Sequence, residues 1–80
     1  MAADTTQLVT YLVRALVDDP ESVTIAEKHN GPDVVYEVTV APDEVGKLIG
    51  RQGRIVKAIR TLARAAGSTG EAHVDVEIIG

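Results

Sequence analysis

Two glycines three residues apart, Gly50 and Gly53, interrupt what would otherwise be one helical run from Val45 to Gly67. Glycine weakens a helix and opens backbone conformations closed to other residues, so the chain must turn there. Around that turn lies most of the positive charge. Lys47, Arg51, Arg54, Lys57, Arg60 and Arg64 are six of the eight basic residues, and no Asp or Glu falls between residues 45 and 70. That segment carries +6 and the remainder −10, within a formal net charge of −4. An acidic chain with one basic segment points to an anionic partner.

Eighty residues make a single domain, 1–80, with a thin core. Trp and Phe are absent, so the core must be aliphatic, and Tyr11 and Tyr36 read as structural. The lack of cysteine removes disulfides and thiolate zinc sites and suits a reducing compartment. The start, Met1-Ala2-Ala3-Asp4, has no basic n-region and leads into an amphipathic stretch. The expectation is a cytoplasmic protein that does not enter the membrane.

Asp4 and Gln7 resemble a capping pair, and Leu8, Leu12 and Leu16 with Val9, Val13 and Val17 recur at helical spacing up to Asp18-Asp19-Pro20. Residues Val23 to His29 read as a strand, Asn30 to Asp33 as a turn, and Val34 to Val40 as a second strand with Val34, Tyr36, Val38 and Val40 on one face. A short helix starts at Pro42, with Asp43 and Glu44 in its first turn, and ends at Gly50. A third helix opens at Gly53 and runs through Ile55, Ile59, Leu62 and Ala66 to Gly67 as its cap. Val74, Val76 and Ile78 alternate with His73, Asp75 and Glu77 as a half-buried strand. The order α-β-β-α-α-β implies an α+β fold, three strands with three helices on one face.

Gly50-Arg51-Gln52-Gly53 lets the backbone approach another backbone closely, and the expected open N–H groups at the start of the third helix favour an anion. The spacing alone would equally suit a plain corner between helices. The wider run Leu48-Ile49-Gly50-Arg51-Gln52-Gly53-Arg54, followed by apolar Ile55 and Ile59, resembles the KH-domain signature. The element order resembles the type II arrangement of that fold, and the whole chain resembles the small stand-alone bacterial KH proteins of the KhpA type.

This resemblance implies an RNA-binding protein, a chaperone or regulatory adaptor, whose GxxG loop clamps the backbone of single-stranded RNA. Carried over, Gly50, Arg51, Gln52 and Gly53 form the clamp, flanked by Lys47, Arg54 and Lys57. Val45, Leu48, Ile49 and Ile55 are candidates for an apolar groove floor, some of them facing the core instead. The Gly67-to-Gly70 connection stands where type II domains carry a variable loop. The resemblance also implies self-association and pairing with a larger KhpB-type KH protein. Independently, the apolar arc of the third helix is about 180° wide, more than packing on a sheet requires. Ala58, Leu62 and Ala65 along one edge therefore point to a homodimer.

Two other readings compete. One is an assembly module acting mainly through protein contacts, and the other a DNA-binding helix-turn-helix-like module. Catalysis is not expected. His29 and His73 lack a second ligand at metal spacing, no phosphate-binding GxxxxGK[ST] run exists, and the pairs Asp18/Asp19 and Asp43/Glu44 are explained by a turn and a helix start. No metal or cofactor is implied.

Overall fold

The computed structural model describes residues 2–67 and 73–80. Three helices, α1 (Ala2–Leu16), α2 (Val45–Ile49) and α3 (Arg54–Gly67), accompany three strands, β1 (Thr24–Asn30), β2 (Asp33–Thr39) and β3 (Val74–Ile79), in the order α1-β1-β2-α2-α3-β3. The element order is the one expected from hydrophobic periodicity. Beyond Gly67, the expected short variable loop lies outside the described residues.

The strands form one sheet in the order β1-β2-β3. β1 and β2 are an antiparallel hairpin closed at Asn30 and Asp33, while β2 and β3 run parallel, with Tyr36 opposite Val76 and Val38 opposite Ile78. Parallel neighbours cannot be joined by a tight turn and need a crossover. Here α2, the Gly50–Gly53 loop and α3 belong to that crossover, which places the loop at its bend.

Side chains alternate as the sequence predicts. Tyr36, Val38, Val40, Val74 and Val76 are buried toward the helices, joined by Val9, Val13, Leu48, Ile59 and Ala63. In α1 the valine row does the packing: Val9 and Val13 have no exposure, while Leu16 is 39% exposed. The leucines of α1 are less buried than the valines, Leu8 and Leu12 being half-buried and Leu16 exposed. Two expectations fail at this helix. It begins at Ala2, so Asp4 stands inside it rather than capping it. Tyr11 is 72% exposed and is not a core residue, because it lies on the face of α1 opposite Val9 and Val13. Tyr36 is structural, and its hydroxyl donates to Glu27 Oε1 at 3.2 Å. Burial pushes that phenol above its usual range, and the Glu27 charge acts in the same direction.

Glu44 was expected to complement a helix N-terminus, and its role is larger than that. Its residue is 3% exposed, and its carboxylate accepts the backbone N–H groups of Asp18, at 2.5 Å, and Asp19, at 3.3 Å. It therefore fastens the chain leaving α1 to the chain entering α2. Lys47 adds a third tie by donating to Asp18 and lying 3.5 Å from Glu44 Oε1. The Asp18 hydrogen bond raises the Lys47 pKa. Removing the Glu44 carboxylate would leave two amides without their acceptor. Glu44→Ala should therefore cost about 2–3 kcal/mol in denaturant unfolding, and Glu44→Gln, which keeps one acceptor oxygen, should cost less.

Candidate nucleic-acid interface

The turn between α2 and α3 is built by backbone conformation. Gly50 closes the last turn of α2, its N–H donating to Gly46 O at 2.9 Å, and then adopts φ 74°, ψ 176°. Only glycine occupies that region without strain. A Cβ at Gly50 would also lie 2.6 Å from Ile55 Cγ1, so Ile55 packs directly over the glycine. Gln52 follows with φ 60°, a left-handed conformation uncommon outside glycine, and Gly53 has φ 73°.

A tight turn then uses the N–H groups expected to be open at the start of α3. Gly53 N–H donates to Gly50 O at 3.2 Å, and Arg54 N–H to Arg51 O. These two amides are not available to an anion, because the chain tightens to i→i+3 bonding before α3 begins. Positive potential at the loop therefore rests mainly on side chains.

Those side chains divide into two groups that charge counting could not separate. Lys47 is engaged with Asp18 and Glu44. Arg60 lies 2.5 Å from Asp75 Oδ1 and donates through Nη2 to Val76 O at 3.0 Å. Arg64 donates through Nε to Val74 O at 2.9 Å. In β3 the carbonyls of His73 and Ile79 point to β2, so the carbonyls of Val74 and Val76 face the sheet's unpaired edge. Arg60 and Arg64 cap that edge, and the Asp75 carboxylate accepts the Val76 N–H at 2.8 Å.

The second group surrounds the loop. Arg51, Arg54 and Lys57 are exposed and, among the described residues, pair with no carboxylate. Arg54 Nη2 reaches Gln52 Oε1 at 3.4 Å, and the Lys57 side chain passes close enough to Gly53 for its Cε to lie 3.9 Å from the position of a Cβ there. Both cations are thus turned toward the loop. Among the apolar candidates, Leu48 is fully buried in the core, and Val45 and Ile55 pack against it. Ile49 is half-buried and lies outside that cluster. On α3, Val56, Ile59 and Ala63 are buried, whereas Ala58, Leu62 and Ala65 are exposed, Leu62 by 47%. His29 and His73 are both exposed, and His29 Nε2 lies 3.4 Å from Glu27 Oε2.

The loop conformations set opposite expectations for two substitutions. Gly50→Ala meets both a forbidden backbone region and Ile55, and should cost about 2–3 kcal/mol in chemical denaturation. Gln52→Gly relieves a left-handed residue and should leave stability unchanged or raise it by up to about 1 kcal/mol.

Comparison with known proteins places these features in a family. The model of the KhpA/KhpB KH domain matches residues 6–78. The chain is 47% identical over 73 residues to a protein of Caldanaerobacter subterraneus named RNA-binding protein KhpA, covering 91% of this chain and 97% of that one. Proteins of the same name from Listeria monocytogenes and Chlamydia trachomatis are each 41% identical over 73 residues, covering 91% of this chain and 96% and 94% of theirs. Among solved structures, the fold resembles part of Era from Aquifex aeolicus bound to GDP and aluminium fluoride, with a TM-score of 0.61 at 19% identity. A second Era structure, in complex with a segment of 16S ribosomal RNA, gives a TM-score of 0.62 at 19% identity. The match covers 94% of this chain but 30% of each Era chain.

Proposed function

The chain belongs to the KH domains of the KhpA/KhpB family, and on that premise we propose that it binds single-stranded RNA, with Gly50, Arg51, Gln52 and Gly53 clamping the sugar-phosphate backbone. The observation that carries this reading is the pairing of two side-chain-free backbone positions with three exposed cations, Arg51, Arg54 and Lys57, that no carboxylate among the described residues neutralises. The relatives named RNA-binding proteins support it. Ile49 adds an apolar contact beside the clamp, and Lys47 contributes at longer range because its ammonium is shared with Asp18 and Glu44.

The family is one of RNA-binding proteins and not of enzymes, so the proposed role is that of an RNA chaperone or regulatory adaptor in a bacterial cytoplasm. No helix among the described residues is long and apolar enough to cross a membrane. A DNA-binding helix-turn-helix reading is weaker, because α2 has five residues and the basic edge of α3 is partly committed to β3.

A second surface accompanies the first. We propose that Ala58, Leu62 and Ala65 form the contact of a homodimer, and that the same edge serves for pairing with a larger KhpB-type protein. The supporting observation is a leucine 47% exposed between two exposed alanines on one edge of α3. Two clamps on one particle would raise apparent affinity through effective concentration.

Three or so phosphate contacts predict that log affinity for a short RNA falls with log salt with a slope of roughly −2 to −3, and that single-stranded RNA is bound better than duplex DNA. Replacing Arg51 and Gln52 together by Asp should remove binding in a filter or anisotropy titration while circular dichroism stays native. Unchanged affinity would reduce the loop to a corner between helices. For the dimer, sedimentation of the wild type at micromolar concentration should exceed the monomer mass, and Leu62→Asp should sediment as a folded monomer.

A further inference from the structure

Glu44 is an acid whose side chain is only 4% exposed. Acids are almost never buried so deeply unless they are paired. Burying an ion is a weak source of stability, and its better-attested use is to fix one arrangement among several. The geometry at Glu44 is of that kind. Oε1 accepts the Asp18 N–H and Oε2 the Asp19 N–H, so two consecutive amides fix both the place and the tilt of one carboxylate.

What the carboxylate fixes is α2. Glu44 stands directly before this helix and Gly50 directly after it, about 9 Å apart along its axis. Leu48 in the core, and Val45, which a Cβ at Gly80 would strike, set the depth of α2, but apolar contact has no direction. Lys47 reaches Asp18 from the same helix, yet the two side chains are 43% and 86% exposed, and an exposed ion pair contributes little. The direction in which α2 points is therefore left to Glu44.

We infer that Glu44 is a positioning residue of the RNA clamp: its buried carboxylate, out of reach of RNA, sets the angle at which α2 delivers Gly50–Gly53. This rests on the RNA-binding reading above. With one amide tie gone, α2 turns on its apolar contacts. The loop backbone, Arg51, Arg54 and Lys57 are all still present but no longer meet one phosphate path together, and a site held loosely binds weakly.

The test is Glu44→Gln, which keeps the side chain's size and one acceptor oxygen but turns an NH2 group toward the other amide. Charge and geometry here predict opposite signs. Removing a negative group near a polyanion should by itself tighten binding, whereas a displaced clamp should weaken it. The measurements are amide proton–nitrogen spectra and fluorescence anisotropy with a short fluorescein-labelled single-stranded RNA, at a temperature where circular dichroism is native. The control is Val9→Ala, which opens the core about two turns before the end of α1. In Glu44→Gln the Asp18 and Asp19 amide signals should move, the signals of Gly50, Gln52 and Gly53 should move with them, and affinity should fall at least about fivefold. Val9→Ala should melt below the wild type, keep its loop signals in place and bind within about twofold. Any of four results would overturn the inference: Glu44→Gln binding within about twofold of wild type or more tightly, loop signals that stay in place, an equal loss in Val9→Ala, or a Glu44→Gln that does not fold, since the carboxylate would then hold the whole domain and not the clamp. The loop double mutant separates this from the premise. If the wild type binds and the loop mutant does not, a silent Glu44→Gln refutes the positioning role alone. If the wild type binds no RNA, the RNA reading falls and this inference with it.

Discussion

A helix of five residues has no stability of its own, since forming the first turn costs more than so few hydrogen bonds return. α2 exists because it is held from two sides. Leu48 is sunk in the core, and the Glu44 carboxylate grips the two amides that follow α1. The position of the loop depends on both. Gly50 leaves α2 with Ile55 packed across it, so any looseness in α2 would pass straight into the glycine loop proposed to hold RNA. The buried Glu44 carboxylate thus helps to set the loop's place from a distance.

The basic segment serves two ends with one kind of residue. Arg60 and Arg64 are structural: they join α3 to β3 and satisfy carbonyls on the edge of β3 that faces away from β2. Arg51, Arg54 and Lys57 remain outside the ion pairs of the described residues. On α3, at about 100° per residue, the exposed alanines and Leu62 occupy the neighbouring edge, opposite Arg60. The helix therefore presents a sheet-facing ridge, a cationic edge and an apolar edge.

The element order was legible because apolar residues fall at every second position from 34 to 40 and from 74 to 78, and α3 keeps a helical period over 14 residues. The turn at Gly50 and Gly53 was legible too, since few residues tolerate such backbone angles. The exposed edge of α3 could be read from an apolar arc wider than one packing partner needs. Glu44 could not, because its partners are amides about 25 residues away and carry no sequence signal. The same holds for Lys47 with Asp18 and Arg60 with Asp75, where opposite charges meet only after the chain has folded. Nor did helical periodicity reveal that the Gly53 and Arg54 amides, at the entry to α3, are used internally, since that follows from a tightened turn of three residues.

The arginine cap on β3 reaches beyond the domain. Because the outward carbonyls of Val74 and Val76 accept from guanidinium groups, pairing on that side with a strand from another molecule is disfavoured. Its other border, β1, carries Glu27, Lys28 and His29 in its second half, charged or titratable residues that discourage edge pairing. Growth by main-chain hydrogen bonding, which has no natural stopping point, is resisted on both sides. Contacts between side-chain surfaces, by contrast, saturate when a partner is bound, so a guarded sheet edge lets a small protein with a thin core be crowded together with less risk of polymerising into fibres.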